Sequence, residues 1–151
     1  MIGKPKLVIG ANGFLGSHVT RQLVDAGHDV RVMVREGADT VSIDDLDVTR
    51  FHGDVFDSAT LAEAMAGCDD VYYCVVDTRA WLRDPSPLFR TNVEGLRHVL
   101  DIAVQANLQR FVFLSTIGAI AVGRNGETVD EDTPFNWADQ GGSYIESRPQ
   151  A

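Results

Sequence analysis

The sequence predicts an α/β fold, a doubly wound parallel sheet with helices on both faces. Three observations predict it. Short valine-rich runs alternate with helical segments along most of the chain, a pattern that calls for crossover connections and parallel strands. Three glycines stand at the first strand-to-helix junction. The 151 residues, 44% apolar and 23% charged, suit one ordinary globular domain with a real core, expected to occupy residues 1–151.

The elements follow in order. Lys6–Gly10 reads as a first strand. Leu15, Val19, Gln22, Leu23 and Ala26 then fall at helical spacing, and Gly27 is a natural stop. Asp29–Arg35 is a second strand and Val48–Phe51 a shorter third. Asp57–Gly67 has a capping Asp57 or Ser58, an alanine-rich body and a closing glycine. Asp70–Val76 is a fourth strand, followed by a turn-rich loop over Asp77–Pro87. A long helix is expected from Leu88 to Ala106, with Pro87 in its first turn, where a missing N–H costs nothing. Arg110–Ser115 is a fifth strand. Thr116–Gly142 reads as mostly irregular, with a turn at Gly123–Glu127.

Net charge of −9 argues against nucleic acid or an anionic membrane as the main partner. No leader pattern is visible and no apolar run is long enough to span a bilayer, so a cytoplasmic location is expected. Cys68 and Cys74 fit no metal spacing and read as reduced thiols. His18, His28, His52 and His98 are scattered, and Asp44, Asp45 and Asp47 read as a solvated acidic loop, so no metal site is expected. Trp81 and Trp137 lie in loops near the expected crevice and read as loop-packing residues, with lining a substrate pocket as the alternative.

The stretch Gly10-Ala11-Asn12-Gly13-Phe14-Leu15-Gly16 carries the strongest chemical signal. Gly10 permits a tight turn off the strand. Gly13 lets a diphosphate approach the backbone, and Gly16 lets helix and strand pack closely. The helix opening then offers free N–H groups and partial positive charge to phosphate. This points to a dinucleotide.

The same stretch resembles the nucleotide fingerprint of the extended short-chain dehydrogenase/reductase superfamily, the NAD(P)-dependent epimerase/dehydratase group, with Ile9 where a threonine is usual. The resemblance implies a Rossmann-type sheet, incomplete relative to family members of roughly twice this length, whose second half bears the substrate-binding region. It implies that Gly10, Asn12, Gly13, Phe14, Leu15 and Gly16 hold the coenzyme. Arg35, at the end of the second strand, would pair with a 2′-phosphate, as in relatives resembling dihydroflavonol reductases and 3β-hydroxysteroid dehydrogenases. NADP is therefore preferred over NAD, although Glu36 could neutralise Arg35 or hold ribose itself. Asp54 and Val55 would take the adenine, Cys74, Val75 and Val76 would line the nicotinamide ribose, and Asn92 and Ser115 would complete the coenzyme site.

For chemistry, the family uses a hydroxyl, a tyrosine and a lysine that lowers the tyrosine pKa. By resemblance Thr116 is the hydroxyl, Tyr144 the tyrosine, and Arg148 stands where the lysine belongs. Pro149 follows, so the helix after Tyr144 is expected to be short, frayed or absent. The implied activity is hydride transfer between a nicotinamide and a secondary alcohol or ketone, steroid- or flavonoid-like. The alternatives are a catalytically inactive NAD(P)-binding module and a nucleotide-sugar epimerase or dehydratase. A homodimer is also open, since the long helix could pair with a copy.

Overall fold

A computed structural model describes residues 3–151. Its strands β1 (Lys6–Ile9), β2 (Val30–Val34), β3 (Thr49–His52), β4 (Asp70–Tyr73) and β5 (Arg110–Phe113) form one parallel sheet in the order β3-β2-β1-β4-β5. All five expected strands are present. Four are shorter than the apolar runs that predict them, because the chain turns away at their carboxyl ends. Gly10, for instance, adopts φ 81° immediately after β1, outside the β region.

The helices are α1 (Phe14–Asp25), α2 (Ser58–Met65), α3 (Ser86–Phe89), α4 (Leu96–Ala103) and α5 (Ala138–Ser147). The long helix expected over 88–106 starts at Ser86, ends at Ala103 and is interrupted by a π-helical turn, Arg90–Gly95, that joins α3 to α4. Short 3₁₀ turns occur at Val41–Ile43 and Ile117–Ala119. The chain divides into two compact units, one running to Val75 and resuming over His98–Leu114, the other made of Val76–Arg97 and Ser115–Ala151.

The first unit contains the sheet. Val8, Val30, Val32 and Val34 cluster with Ala11 and Ile43 beneath Val19, Leu23 and Val24 of α1. Neighbouring strand residues point the other way, and Leu7, Ile9, Met33, Val71 and Tyr73 are also at most 2% exposed. With both faces covered, the central strands must be apolar throughout, which is why they read as continuous hydrophobic runs. Each such side chain contributes about 1.5–3 kcal/mol of burial. β3 lies at one edge, and Thr49, Arg50 and His52 are exposed accordingly. At the amino ends of β1 and β4, Lys6 forms an ion pair with Asp70. Arg31 reaches the Ala64 and Ala66 carbonyls at 3.0 and 2.8 Å, placing a cation at the negative end of α2.

From β1 the chain winds outward through β2 and β3, then returns to lay β4 on the other side of β1. All strands run the same way, so their carboxyl ends share one edge of the sheet. The winding reverses between β1 and β4, the position where open α/β sheets take ligands.

The second unit is held by local bonds. The Asn136 side chain pairs with both backbone groups of Val122, at 3.0 and 3.1 Å, and Trp137 Nε1 donates to the Ile120 carbonyl at 2.9 Å. Trp137 thus packs its own loop, as expected, whereas Trp81 is 76% exposed. The turn expected at 123–127 closes with Glu127 N–H on the Arg124 carbonyl at 3.0 Å. α5 is divided by Gly142, whose φ of 66° and ψ of 179° are not helical, and its last turn stops at Ser147. The helix after Tyr144 is short, as Pro149 predicts. Among the described residues, no helix is long and apolar enough to cross a membrane.

Candidate functional site

The first unit brings the glycine run to the reversal point, and each glycine has its own reason. A Cβ at Gly10 would meet Val75 Cγ2 at 2.9 Å and the Cys74 carbonyl carbon at 3.2 Å, so the backbone passes directly against the continuation of β4. A Cβ at Gly16 would lie 2.1 Å from the Gly10 carbonyl oxygen, so α1 packs on the turn with no room for a methyl group. At Gly13, among the described residues, the one neighbour within 4 Å would be that same oxygen, at an ordinary 3.5 Å. Gly13 is the N-cap of α1 in an extended conformation, φ −74° and ψ 169°, open to any L-residue. No side chain caps the helix and no acidic residue lies in its first turn. The fold therefore asks nothing of Gly13. The missing side chain opens the way to the helix's first amides, where an anion fits. Phe14 and Leu15 are exposed beside it, at 86% and 47%.

Other expected coenzyme residues lie at the same edge of the sheet. The Asn12 amide donates to the Asp39 carbonyl at 3.0 Å, bracing the loop after β2. Arg35 is exposed one residue past β2 and has no side-chain partner among the described residues. Glu36 turns instead toward His52, with 3.8 Å between Oε2 and Nδ1. Asp54 is exposed and accepts the Phe56 N–H at 3.0 Å, while Val55 beside it is buried. Cys74 and Val75 are half-buried after β4. Burial pushes the Cys74 thiol up to about 11, and Cys68, 1% exposed, is raised for the same reason.

The second unit holds the rest. Val76 is 43% exposed. Asn92 lies on the π-helical turn and is 2% exposed. Its Oδ1 accepts the Asp77 N–H at 2.7 Å, and its Nδ2 donates to the Asp77 carbonyl at 2.9 Å and to Ser147 Oγ at 3.1 Å. The Ser147 hydroxyl in turn donates to the Tyr144 carbonyl at 2.7 Å. The Asp77 carboxylate is gripped by Arg79, with 2.6 Å from Nη2 to Oδ2, and these hydrogen bonds hold its carboxyl below the usual range. Ser115 is exposed. Thr116 is extended, and its Oγ1 accepts the Gly118 N–H at 3.2 Å. That bond occupies a lone pair and leaves the hydroxyl hydrogen free to donate. Tyr144 is half-buried on the last turn of α5, and Arg148 is 4% exposed. No cluster of His, Cys, Asp or Glu among the described residues could hold a metal ion.

The profile of the NAD-dependent epimerase/dehydratase family matches residues 6–148. The chain belongs to that family. Cinnamoyl-CoA reductase 1 of Petunia hybrida is 32% identical over 146 residues, covering 91% of this chain and 42% of its own length. Sterol demethylase protein B of Methylococcus capsulatus is 32% identical over 131 residues, 85% of this chain and 40% of its own. Among solved structures, the crystal structure of gox2253 has a TM-score of 0.87 at 34% identity, covering 97% of this chain and 44% of that one. The chain therefore spans less than half the length of these relatives. Epimerase/dehydratase family members are NAD(P)-dependent reductases, dehydrogenases and epimerases acting on small molecules. In this member the glycine run leaves the start of α1 unobstructed at Gly13.

Sequence reasoning missed Asp77, Arg79 and Ser147. Asp77 carried a faint signal, a carboxylate directly after a predicted strand with a cation two residues on. Ser147 carried none, because its partner Asn92 is 55 residues away.

Proposed function

We propose that the chain binds NADP(H) and serves hydride transfer between the nicotinamide and a secondary alcohol or ketone. The observation that carries this reading is Gly13, a helix-capping glycine that the fold does not require and whose bareness suits a diphosphate. When bound, the dinucleotide supplies the hydride donor or acceptor. The Phe14 and Leu15 amides would hold the diphosphate, and Arg35 would pair with a 2′-phosphate. Asp54 and Val55 would take the adenine, and Cys74, Val75, Val76 and Ser115 would line the remainder. Thr116 would donate its hydroxyl hydrogen to the substrate oxygen. Tyr144 would exchange a proton with that oxygen, and Arg148 would keep a positive charge in the lysine position. The reductase among the relatives supports a carbonyl substrate for this chain as well.

One observation favours a second reading, a coenzyme-binding module without turnover. Arg148 replaces the lysine, and α5 ends beside it at Ser147. Calorimetric titration with NADPH and NADH, followed by NADPH oxidation with a panel of cyclic ketones, separates the readings. Micromolar NADPH binding with turnover is the expected result. Binding without turnover leaves the module, and absence of binding defeats both.

A further inference from the structure

We infer that Ser147, held by Asn92, is a positioning residue for the helical turn that carries Tyr144. The inference rests on the proton-transfer role proposed for Tyr144. Two features set that turn apart. Gly142, at φ 66°, interrupts the hydrogen-bond ladder before it. Pro149 has no N–H, so the ladder misses a rung there and resumes with the Ala151 N–H on the Ser147 carbonyl at 3.2 Å. A lone helical turn fixes several torsions for one hydrogen bond and does not persist unaided.

Tertiary contacts hold it instead. On one side Ile145 lies against Gly118, close enough that a Cβ there would sit 2.8 Å from Ile145 Cδ1. On the other, the Ser147 hydroxyl, fully buried, accepts from Asn92 at 3.1 Å and donates to the Tyr144 carbonyl at 2.7 Å. Asn92 is itself fixed by two bonds to the Asp77 backbone, at 2.7 and 2.9 Å, and Asp77 by Arg79. The tyrosine turn is thus tied to the loop after β4 through a buried side-chain bond. That bond sets where the phenol stands when a proton must pass.

Ser147→Ala in the whole chain tests this, with Ser143→Ala on the same turn as control. Hydrogen exchange over 143–148 should accelerate about tenfold in Ser147→Ala, while α2 and the Ser143→Ala protein keep wild-type rates. Asn92→Ala, if it folds, should accelerate the same segment. With NADPH and the cyclic ketones, kcat should fall about tenfold while the NADPH dissociation constant changes less than twofold. Unchanged exchange over 143–148, uniform acceleration everywhere, or loss of NADPH affinity in step with kcat overturns the inference. A wild-type chain that binds NADPH but never turns over defeats the oxidoreductase reading, and with it the catalytic purpose of the bond. Exchange then decides whether the bond holds the turn.

Discussion

A methyl group at Gly16 would sit 2.1 Å from the Gly10 carbonyl oxygen, and one at Gly13 would find only ordinary contact at 3.5 Å. The same substitution must therefore fail in opposite ways. Gly16→Ala should cost about 1–3 kcal/mol or more of stability, because backbone has to shift. Gly13→Ala should cost under about 1 kcal/mol, the ordinary penalty of a poorer cap, yet weaken coenzyme binding tenfold or more. Urea unfolding and calorimetry on the two proteins check both halves. Arg35 belongs at this scale too. Glu36 faces His52 and Arg35 has no side-chain partner among the described residues, so if Arg35 pairs with a 2′-phosphate as proposed, Arg35→Ser should lower NADPH affinity severalfold and leave NADH affinity nearly unchanged.

Among the elements, α2 shows how far local chemistry reaches. Asp57 caps it, accepting from the Thr60 N–H at 3.1 Å and the Thr60 hydroxyl at 2.7 Å, and these bonds lower the carboxyl pKa below its ordinary value. Asp57→Ala should destabilise the protein by about 1 kcal/mol, read from the urea midpoint. A cap, a glycine stop and an apolar run are all local signals, which is why the strands, α1 and α2 were legible in the sequence. The π-helical turn was not. Its residues, Arg90–Gly95, have the composition of any helix, and the widened turn accompanies Asn92 bonds to partners 15 and 55 residues away. The glycine run was legible as the turn from β1 into α1 because its spacing carries its meaning. Ser147 was not, since a serine near a helix end looks the same with or without a buried partner.

For the molecule as a whole, the sheet's thiols set an alkaline limit. Burial raises both, Cys74 to about 11 from an ordinary 9.0. Above pH 9 the unfolded chain sheds protons that the folded chain keeps, so stability falls as pH rises from about 9 to 11 and is undiminished by this term below 9. Urea midpoints across that range should decline more steeply for the wild type than for Cys74→Ser.

Cys68 is 1% exposed and Cys74 is half-buried beside the glycine turn. A disulfide reagent such as dithionitrobenzoate needs a thiolate and an open path; Cys68 lacks the path, and at pH 8 burial keeps the Cys74 thiol protonated. Colour release then counts openings, and a coenzyme that braces the crevice should slow it. If the coenzyme binds at the glycine turn as proposed, these thiols would gauge its occupancy before any substrate is known.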